Sequence, residues 1–289
     1  MQNDAIGSLE ITRDQVYAVM NDRELALDVY WHPAASDPEP LVVYVHGGAW
    51  MMGDRTWVPP ELPLLDRDFA MASIDYRLSQ EAIFPAQIED CRAAIRWLRA
   101  NAGDYNLDPD RVGAWGESAG GHLVALLGTA AHVTEWDRQG GNEAYPSHVQ
   151  AVCDWFGPTD LVHFGADMPD HNAADSPESL LIGGAVQENQ DRAARANPIT
   201  YITAETPPFL IMHGALDDVV SIGQSRLLHQ ALQEAGVEST LMIRPDMGHD
   251  VLSLGKTRRA ELYQSVVDFF QRTLQGSQPP RQDMTGRDK

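Results

Sequence analysis

Residues 112–121 read Val-Gly-Ala-Trp-Gly-Glu-Ser-Ala-Gly-Gly, and this stretch decides the fold. It predicts a short buried strand, then a turn too tight for most side chains, then the start of a helix. Gly116 and Gly120 flank Ser118 in a G-x-S-x-G spacing, where a Cβ on either glycine would clash. Such a turn strains the serine backbone and holds its hydroxyl at the carboxyl edge of a sheet. The alternative is an ordinary Gly-rich turn with an incidental serine, and the rest of the chain has to decide between the two.

Strand and helix signals alternate on both sides of this turn. An antiparallel hairpin is predicted over residues 11–19 and 25–30, because the Asn21-Asp22 pair between them is a good turn signal. Further strands are predicted over residues 41–45, 69–75, 149–156, 209–213 and 239–244, and helices over 57–66, 85–101, 119–131, 222–235 and 257–274. The pattern indicates an α/β fold, with a mostly parallel sheet, an antiparallel N-terminal hairpin and helices on both faces.

Residues 157–206 interrupt this alternation. The stretch follows the strand that ends near Phe156, is rich in Asp, Pro, Gly, Ala and His, and contains only two weak helix signals. A segment this long inside a regular α/β pattern predicts a lid or a substrate-shaping insertion rather than a plain loop. We therefore expect a single domain over residues 1–275 that includes this insertion, and a polar C-terminal tail over residues 276–289.

Composition restricts the partners. The chain has 289 residues, with 42 acidic against 21 basic ones and a formal net charge of −21. No patch of Lys and Arg is present to displace counterions, so nucleic acid is not expected as a partner. An anionic substrate would be repelled, which favours a small neutral one. The sequence leaves open whether the protein forms a homo-oligomer.

The location of the protein is expected to be cytoplasmic by default. No apolar run reaches the roughly 18 residues of a membrane span, and the start of the chain is polar, so neither a membrane segment nor a signal peptide is predicted. Cys91 and Cys153 provide no disulfide framework and are expected to be buried free thiols.

Ser118 needs two partners to act as a nucleophile, namely a base within hydrogen-bond reach and a group that orients this base. His249 lies in a Gly-bearing loop after the last predicted strand, where an imidazole is suited to proton transfer near neutrality. It also comes last in the chain order serine, acid, histidine that this kind of turn predicts. Asp217, after the penultimate strand, is placed to accept a hydrogen bond from Nδ1 of this histidine. Asp218 is an equally placed competitor, or else the N-cap of the next helix.

Residues 46–50, His-Gly-Gly-Ala-Trp, follow another strand and supply candidate donors for an oxyanion. The backbone N–H groups of Gly48 and Ala49 are expected to form the oxyanion hole together with that of Ala119. Glycine in this loop lets N–H groups turn toward a ligand without interference from a Cβ. His46 is expected to brace the loop by hydrogen bonding rather than to act as a catalyst.

Four large apolar residues near these segments are candidates for substrate contact. Trp50 and Met51 are expected to wall an acyl pocket beside the oxyanion loop. Trp155 and Phe156, which end the strand over residues 149–156, are assigned to the same pocket. The alternative for Trp50 and Met51 is a place in the hydrophobic core, where large apolar side chains are most often found.

A His-bearing acidic tract within residues 157–206 is the rival site. Its members are Asp160, His163, Asp167, Asp170, His171 and Asp175. The tract offers ligands to a cation, but its spacing matches no metal-binding loop, so a solvated loop is favoured and no metal site is predicted. No Cys-x-x-Cys, His-Glu-x-x-His, Gly-x-Gly-x-x-Gly or Walker A pattern occurs, so no cofactor is predicted either.

The chain resembles the α/β-hydrolase esterases, most closely the branch with an HGGxW oxyanion loop. This branch includes hormone-sensitive-lipase-like carboxylesterases and a bacterial feruloyl-esterase-like group. The further segments that carry the resemblance are Tyr76-Arg-Leu-Ser, Phe84-Pro-Ala-Gln-Ile-Glu-Asp90, Ala94-Ile-Arg-Trp-Leu-Arg, Asp108-Pro-Asp-Arg-Val, Gly116-Glu-Ser-Ala-Gly-Gly-His122, Asn197-Pro-Ile-Thr and Pro207-Pro-Phe-Leu-Ile-Met-His-Gly214. The resemblance implies an α/β-hydrolase fold and a serine esterase. The HGxxDxxV acid motif of that group falls on Asp217, which decides against Asp218, and its base falls on His249.

Two departures from that group narrow the expected substrate. Ala49 stands where many lipase-like members have a third glycine, which costs little if its φ is negative but hinders a pocket for tertiary alcohols. The N-terminal segment is short for the helical cap of the lipase-like enzymes, so substrate shaping is expected from residues 157–206. We therefore expect an open site for short acyl groups or sugar-borne esters.

The function expected from the sequence is that of a serine carboxylic-ester hydrolase for short-acyl, carbohydrate-type or aryl-type esters, with Ser118, His249 and Asp217 as its triad. One alternative is an amidase or peptidase on the same scaffold, like the formamidases and oligopeptidases. Another is a non-catalytic binding protein with a hydrolase fold, against which the presence of all three candidate residues argues. The fold by itself does not decide between them.

Overall fold

The computed structural model describes residues 9–164 and 168–276. The strands are β1 (Glu10–Met20), β2 (Arg23–Trp31), β3 (Glu39–Val45), β4 (Ala70–Ile74), β5 (Leu107–Glu117), β6 (Ala151–Trp155), β7 (Phe209–Gly214) and β8 (Ser239–Arg244). The α-helices are α1 (Ala86–Ala100), α2 (Ala119–Thr129), α3 (Pro177–Ile182), α4 (Gln190–Arg195), α5 (Ile222–Glu234) and α6 (Lys256–Phe270). Beyond Gly276, the predicted tail lies outside the described residues.

The predicted sheet architecture is confirmed. The strands form one sheet in the order β1-β2-β4-β3-β5-β6-β7-β8. β2 pairs antiparallel with both β1 and β4, and all other neighbouring strands are parallel. The hairpin turns at Asn21 and Asp22, whose φ angles of 49° and 65° are the left-handed values of a tight hairpin turn. The carboxyl ends of β3, β5, β7 and β8 therefore lie along one edge, where ligands bind in such sheets.

Helices cover both faces of the sheet, as predicted. β3 is buried throughout, and its successive side chains alternate between two hydrophobic clusters. Val43 belongs to the cluster that contains residues of α1, α2 and α5, whereas Val42 and Tyr44 belong to the one that contains α6. Burial on both faces is the reason that this strand is an unbroken apolar run in the sequence.

The helix predicted over residues 57–66 is wrong. Only Pro63–Asp66 forms a helical turn, of the 3-10 type. The Pro59-Pro60 pair removes two backbone N–H groups and disfavours the helical conformation of the residue before it. An ion pair just before this segment ties the chain to the end of β4, since Nη1 of Arg55 lies 2.9 Å from Oδ2 of Asp75.

The insertion over residues 157–206 consists of short elements, and its two predicted helices are α3 and α4. Polar contacts fasten it to the main body. Nε2–H of His122 in α2 donates to the carbonyl of Ala196 at 2.7 Å, and Oε1 of Gln224 in α5 accepts from the N–H of Thr159 at 2.7 Å. Part of the insertion therefore rests directly on the two helices that follow β5 and β7.

Two further expectations concern thiols and membranes. Cys91 and Cys153 are free and buried, as predicted. Across residues 9–164 and 168–276, no helix combines the length and the apolar character that a membrane span requires.

Candidate active site

Ser118 lies in the turn between β5 and α2, with φ 54° and ψ −119°. Residues other than glycine rarely adopt a positive φ, so this turn stores backbone strain. The N–H of Ser118 donates to the carbonyl of Trp155 at 2.8 Å and ties the turn to the neighbouring strand. The close approach predicted for the flanking glycines is confirmed, because a Cβ on Gly120 would overlap the carbonyl of Val45 and lie 2.7 Å from that of His46.

His249 and Asp217 approach Ser118 from two loops at the same edge of the sheet, after β8 and β7 respectively. Nε2 of His249 lies 2.9 Å from Oγ of Ser118, and its Nδ1 lies 2.8 Å from Oδ2 of Asp217. Asp218, the competing acid, is an exposed residue. The structure therefore brings one hydroxyl, one imidazole and one carboxylate into a single hydrogen-bonded chain.

The carboxylate of Asp217 is enclosed by donors. Oδ1 accepts from the N–H groups of Val219 at 2.9 Å and Val220 at 2.8 Å, and Oδ2 also lies 3.2 Å from Nε2 of His213. Burial alone would raise the pKa of this carboxyl, but the hydrogen bonds from His213, His249 and Val220 outweigh it and lower the pKa well below its usual range. Asp217 thus stays ionised at neutral pH.

The oxyanion loop has an unusual backbone. Gly48 and Ala49 have φ angles of 106° and 54°, so the negative φ under which alanine would cost little at position 49 is not present. The loop curls because the N–H groups of Met51 and Met52 both donate to the carbonyl of Gly48, at 2.9 and 3.1 Å. Among the residues that the structure describes, no hydrogen bond uses the N–H of Gly48 or Ala49, which leaves both donors available.

His46 lies beneath this loop. Its ring stacks on that of Tyr76, with the ring centroids 4.3 Å apart, and its Nδ1–H donates to the carbonyl of Gly47 at 2.7 Å. The hydroxyl of Tyr76 donates in turn to the carbonyl of His46 at 3.1 Å. Burial lowers the pKa of His46 and favours the neutral ring. These contacts fit a bracing role.

Three of the residues assigned to substrate contact lie near the site loops. The ring centroid of Phe156 is 4.7 Å from that of His249, so this side chain contacts the imidazole directly. Met51 is half-buried. Trp50 is only 2% exposed and packs edge-on against His122, with the ring centroids 5.1 Å apart. Core packing, the alternative raised for Trp50, therefore describes this residue.

Trp155 is not brought to the site. It is fully buried, with its ring centroid 5.2 Å from that of Trp115 and 5.5 Å from that of Tyr263. It belongs to the hydrophobic cluster on the α6 face of the sheet. No substrate reaches a ring enclosed in this way.

Two features of the site were missed in the sequence. One is His213, whose contact with Asp217 was signalled by its place at the end of a predicted strand and by its being the histidine of the HGxxDxxV motif. The other is a set of exposed large apolar side chains on the loops that follow β3, β7 and β8. The members of this set, the apolar rim, are Met52, Trp57, Leu216, Val219 and Leu252.

The acidic tract is largely engaged in local hydrogen bonds. Oδ2 of Asp160 lies 2.6 Å from Nδ1 of His163, and its Oδ1 accepts from Asn197 at 2.8 Å. Asp167 and the side chain of Asp170 lie outside the described residues. Within residues 9–164 and 168–276, no group of three or more His, Cys, Asp and Glu side chains is placed to hold a metal ion.

Comparisons with known sequences agree on one family. The BD-FAE family model matches residues 27–232. The chain is similar to "Esterase LipQ" of Mycobacterium tuberculosis, with 31% identity over 260 residues that cover 88% of this chain and 60% of the relative. It is also similar to "Probable carboxylic ester hydrolase LipM" of that organism, with 27% identity over 249 residues, 84% of this chain and 57% of the relative. The chain thus spans 57–60% of the length of these two curated relatives.

Solved structures give a matching result. A "Truncated form of carbohydrate esterase from gut microbiota" is 32% identical, with a TM-score of 0.84 over 94% of this chain and 98% of that one. A bifunctional GH43-CE protein of Bacteroides eggerthii is 35% identical, with a TM-score of 0.80 over 91% of this chain and 38% of that one. The esterase Est2 of Thermogutta terrifontis, 22% identical with a TM-score of 0.75 over 96% of this chain and 95% of that one, supports the fold alone. Because the BD-FAE family model matches residues 27–232, which make up most of this chain, the chain belongs to the BD-FAE family of α/β-hydrolase esterases.

Proposed function

We propose that this protein is a serine carboxylic-ester hydrolase that acts on short-acyl, carbohydrate-type or aryl-type esters. The observation that carries the proposal is the hydrogen-bonded chain from Oγ of Ser118 through the His249 imidazole to Oδ2 of Asp217, with contacts of 2.9 and 2.8 Å. A nucleophile, a base and an orienting acid in this order are the parts that acyl transfer to serine requires.

Each residue of the chain has a separate task. His249 accepts the proton of the Ser118 hydroxyl as Oγ attacks the ester carbonyl carbon, and it then gives this proton to the departing alcohol. Asp217 holds the Nδ1–H tautomer of the imidazole and stabilises the imidazolium. Water, activated by the same imidazole, then cleaves the acyl-enzyme and restores the free serine.

The negative charge that develops on the ester oxygen is met by backbone donors. The oxyanion loop contributes the N–H groups of Gly48 and Ala49. The third donor, the N–H of Ala119, lies in the first turn of α2, where the helix dipole is positive. Donors held by the backbone need no reorganisation during the reaction. This is why such a hole stabilises the transition state more than water does.

The substrate class is supported by three observations. The structure that matches this chain over 94% of its length is titled a carbohydrate esterase. The net charge of −21 disfavours anionic esters. The apolar rim lies on the loops that carry the oxyanion donors, the acid and the base, and it offers contact area to the aryl or acyl part of an ester.

A hydrolysis screen tests the proposal. p-Nitrophenyl acetate and butyrate, a feruloyl ester and a sugar acetate are each expected to be hydrolysed, whereas Ser118→Ala is expected to lose about six orders of magnitude in kcat with its circular dichroism unchanged. A fluorophosphonate probe should label the wild-type protein and not the variant. Amide turnover without ester turnover would replace the proposal by an amidase, and failure of both turnover and labelling would point to a binding protein.

A further inference from the structure

His213, the last residue but one of β7, is a second histidine in contact with Asp217. Its side chain and that of Asp217 are both fully buried. Nε2 of His213 lies 2.9 Å from the carbonyl oxygen of Val220 and 3.2 Å from Oδ2 of Asp217, and Nδ1 lies 2.7 Å from Oγ of Ser225. Every ring nitrogen of this buried histidine therefore has a polar partner.

The partners of His213 assign its tautomer. A carbonyl oxygen can only accept, so Nε2 of His213 carries the proton and donates it to Val220, while Oδ2 of Asp217 lies 3.2 Å from the same nitrogen. In the neutral ring, Nδ1 then accepts the hydroxyl proton of Ser225. The oxygen Oδ2 of Asp217 is consequently held from two sides, by His213 on the core side and by His249 on the cleft side.

We propose that His213 is a positioning residue for the hydrolysis, because its contact with Oδ2 of Asp217 keeps this oxygen aimed at Nδ1 of His249. This inference rests on the proposed function of Asp217 as the acid. The loop fixes the other oxygen, Oδ1, through the N–H groups of Val219 and Val220, but among the described residues these backbone donors do not contact Oδ2. A donor anchored in β7 and α5 fixes the carboxylate to the rigid part of the fold instead.

Charged and uncharged residues face His213 from the elements packed around it. Asp217 faces it from its own loop, and beyond Asp217 lies His249. From β6 the buried Asp154 acts on it electrostatically, and burial raises the pKa of this carboxyl to about 7. α5 contributes the uncharged Ser225. On β8 the residue paired with His213 is Ile243, which carries no charge.

Two amide substitutions separate the contacts of His213. In His213→Gln the amide nitrogen reaches the position of Nε2, and its two N–H groups serve Val220 and Asp217. In His213→Asn the amide is one bond shorter, so it reaches toward Ser225 but falls short of Asp217. Both variants put a neutral amide in the same buried place, which makes them a matched pair.

The pair is compared in kcat, KM and the pH dependence of ester hydrolysis. His213→Asn is expected to lower kcat about 10- to 100-fold with KM nearly unchanged, whereas His213→Gln stays within about threefold of the wild type. The acid limb of kcat/KM is expected to move to higher pH only in His213→Asn. A carboxylate that has lost a donor is more basic and holds the proton on His249 more tightly.

A readout that does not need turnover accompanies the assay. The titration of the His249 imidazole, followed by NMR in each variant, is expected to shift upward in His213→Asn and not in His213→Gln. The matched control is His32→Gln, which removes a buried histidine contact of 2.7 Å with Glu39 at the opposite edge of the sheet. This change is expected to leave the pH profile and the His249 titration unaltered.

The outcomes separate this inference from the proposed function. Equal kcat and equal His249 titration in the two amide variants would overturn the role of His213 while leaving the hydrolase intact. A wild-type protein without ester turnover would overturn the hydrolase, and the NMR titration would still support or overturn the contact. Should His213→Asn fail to fold, His213→Leu, which fills the buried place without any donor, replaces it, and an acid limb and a His249 titration equal to those of His213→Gln would overturn the inference.

Discussion

The two halves of the site are held in place by different means. In the half built on β3 and β5 the backbone does the positioning, since Gly48, Ala49 and Ser118 all have a positive φ. In the half built on β7 and β8 hydrogen bonds do it, with His213 and His249 both in contact with Asp217. A closely packed backbone has no room for an added side-chain atom, whereas a buried ion needs its charge and its hydrogen-bond donors. We therefore expect substitutions that add atoms to damage the first half, and substitutions that remove a charge or a donor to damage the second.

Two carboxyl groups at the site, those of Glu117 and Asp217, have pKa values that are shifted in opposite directions. Burial raises the pKa of Glu117 to about 7, although a hydrogen bond from Tyr44 opposes this. Asp217 behaves in the opposite way, because its donors outweigh burial and lower its pKa. A lowered pKa means that Asp217 contributes stability above the unfolded pKa of about 3.9 and loses it as the pH falls further. Because the pKa of Glu117 is raised, this residue instead contributes stability at low pH and loses it as the pH rises toward about 7.

The largest expected effect tests the charge of the second half. Asp217→Asn is expected to lower kcat for p-nitrophenyl acetate about 10⁴-fold, because an amide there favours the wrong tautomer of His249. Asp218→Asn, the matched control on an exposed neighbour, is expected to stay within about twofold. Equal losses in steady-state kinetics of the two variants would remove the distinction between these carboxylates.

The next effect tests the packing of the first half. Gly120→Ala is expected to lower the free energy of unfolding by about 3 kcal/mol, because the new Cβ meets the backbone carbonyl of Val45, which cannot rotate away. Gly103→Ala, where no atom lies within 4 Å of the new Cβ, is the control and should change it by less than about 0.5 kcal/mol. Urea denaturation measures both. Similar values for the two would mean that the turn after β5 is not tightly packed.

A smaller effect is expected from the pH dependence of stability. Between the unfolded pKa of about 4.3 and the folded pKa of about 7, native Glu117 keeps a proton that the unfolded chain releases, so stability falls as the pH rises through this window. Glu117→Gln removes this loss and should gain about 2 kcal/mol relative to the wild type between pH 5 and pH 8. Denaturation at both pH values measures the gain, and a constant difference between the two proteins would contradict it.

The smallest effect concerns the strained oxyanion loop. Ala49→Gly is expected to raise the free energy of unfolding by up to about 1 kcal/mol, because glycine adopts a φ of 54° without the clash of a Cβ. The kcat of the variant should stay within about threefold of the wild type, since the N–H direction is unchanged. Thermal unfolding and ester turnover measure the two quantities. A loss of stability would show that the alanine methyl group contributes packing that outweighs the strain.

Much of the fold followed from local patterns. Buried parallel strands such as β3 are unbroken apolar runs, and α1 begins after a proline and carries its apolar residues at helical spacing. The helix predicted over residues 57–66 failed at the Pro59-Pro60 pair that interrupts it, and only Pro63–Asp66 is helical. The sequence did not fix the φ of Ala49, because an alanine carries no local preference for the left-handed conformation that this loop adopts.

For the site, the sequence by itself determined the residue types and their chain order, because a glycine-flanked serine at a strand end leaves few conformations open. It also determined the α/β architecture, through the alternation of apolar periods. Only the tertiary structure decided which partners meet: that His213 shares Asp217 with His249, that Phe156 contacts the base, and that Trp155 is enclosed by Trp115 and Tyr263. His249 and Asp217, Phe156 and His249, and Trp155 and Trp115 are each distant along the chain, so their contacts are set by how strands are ordered in the sheet rather than by any local preference.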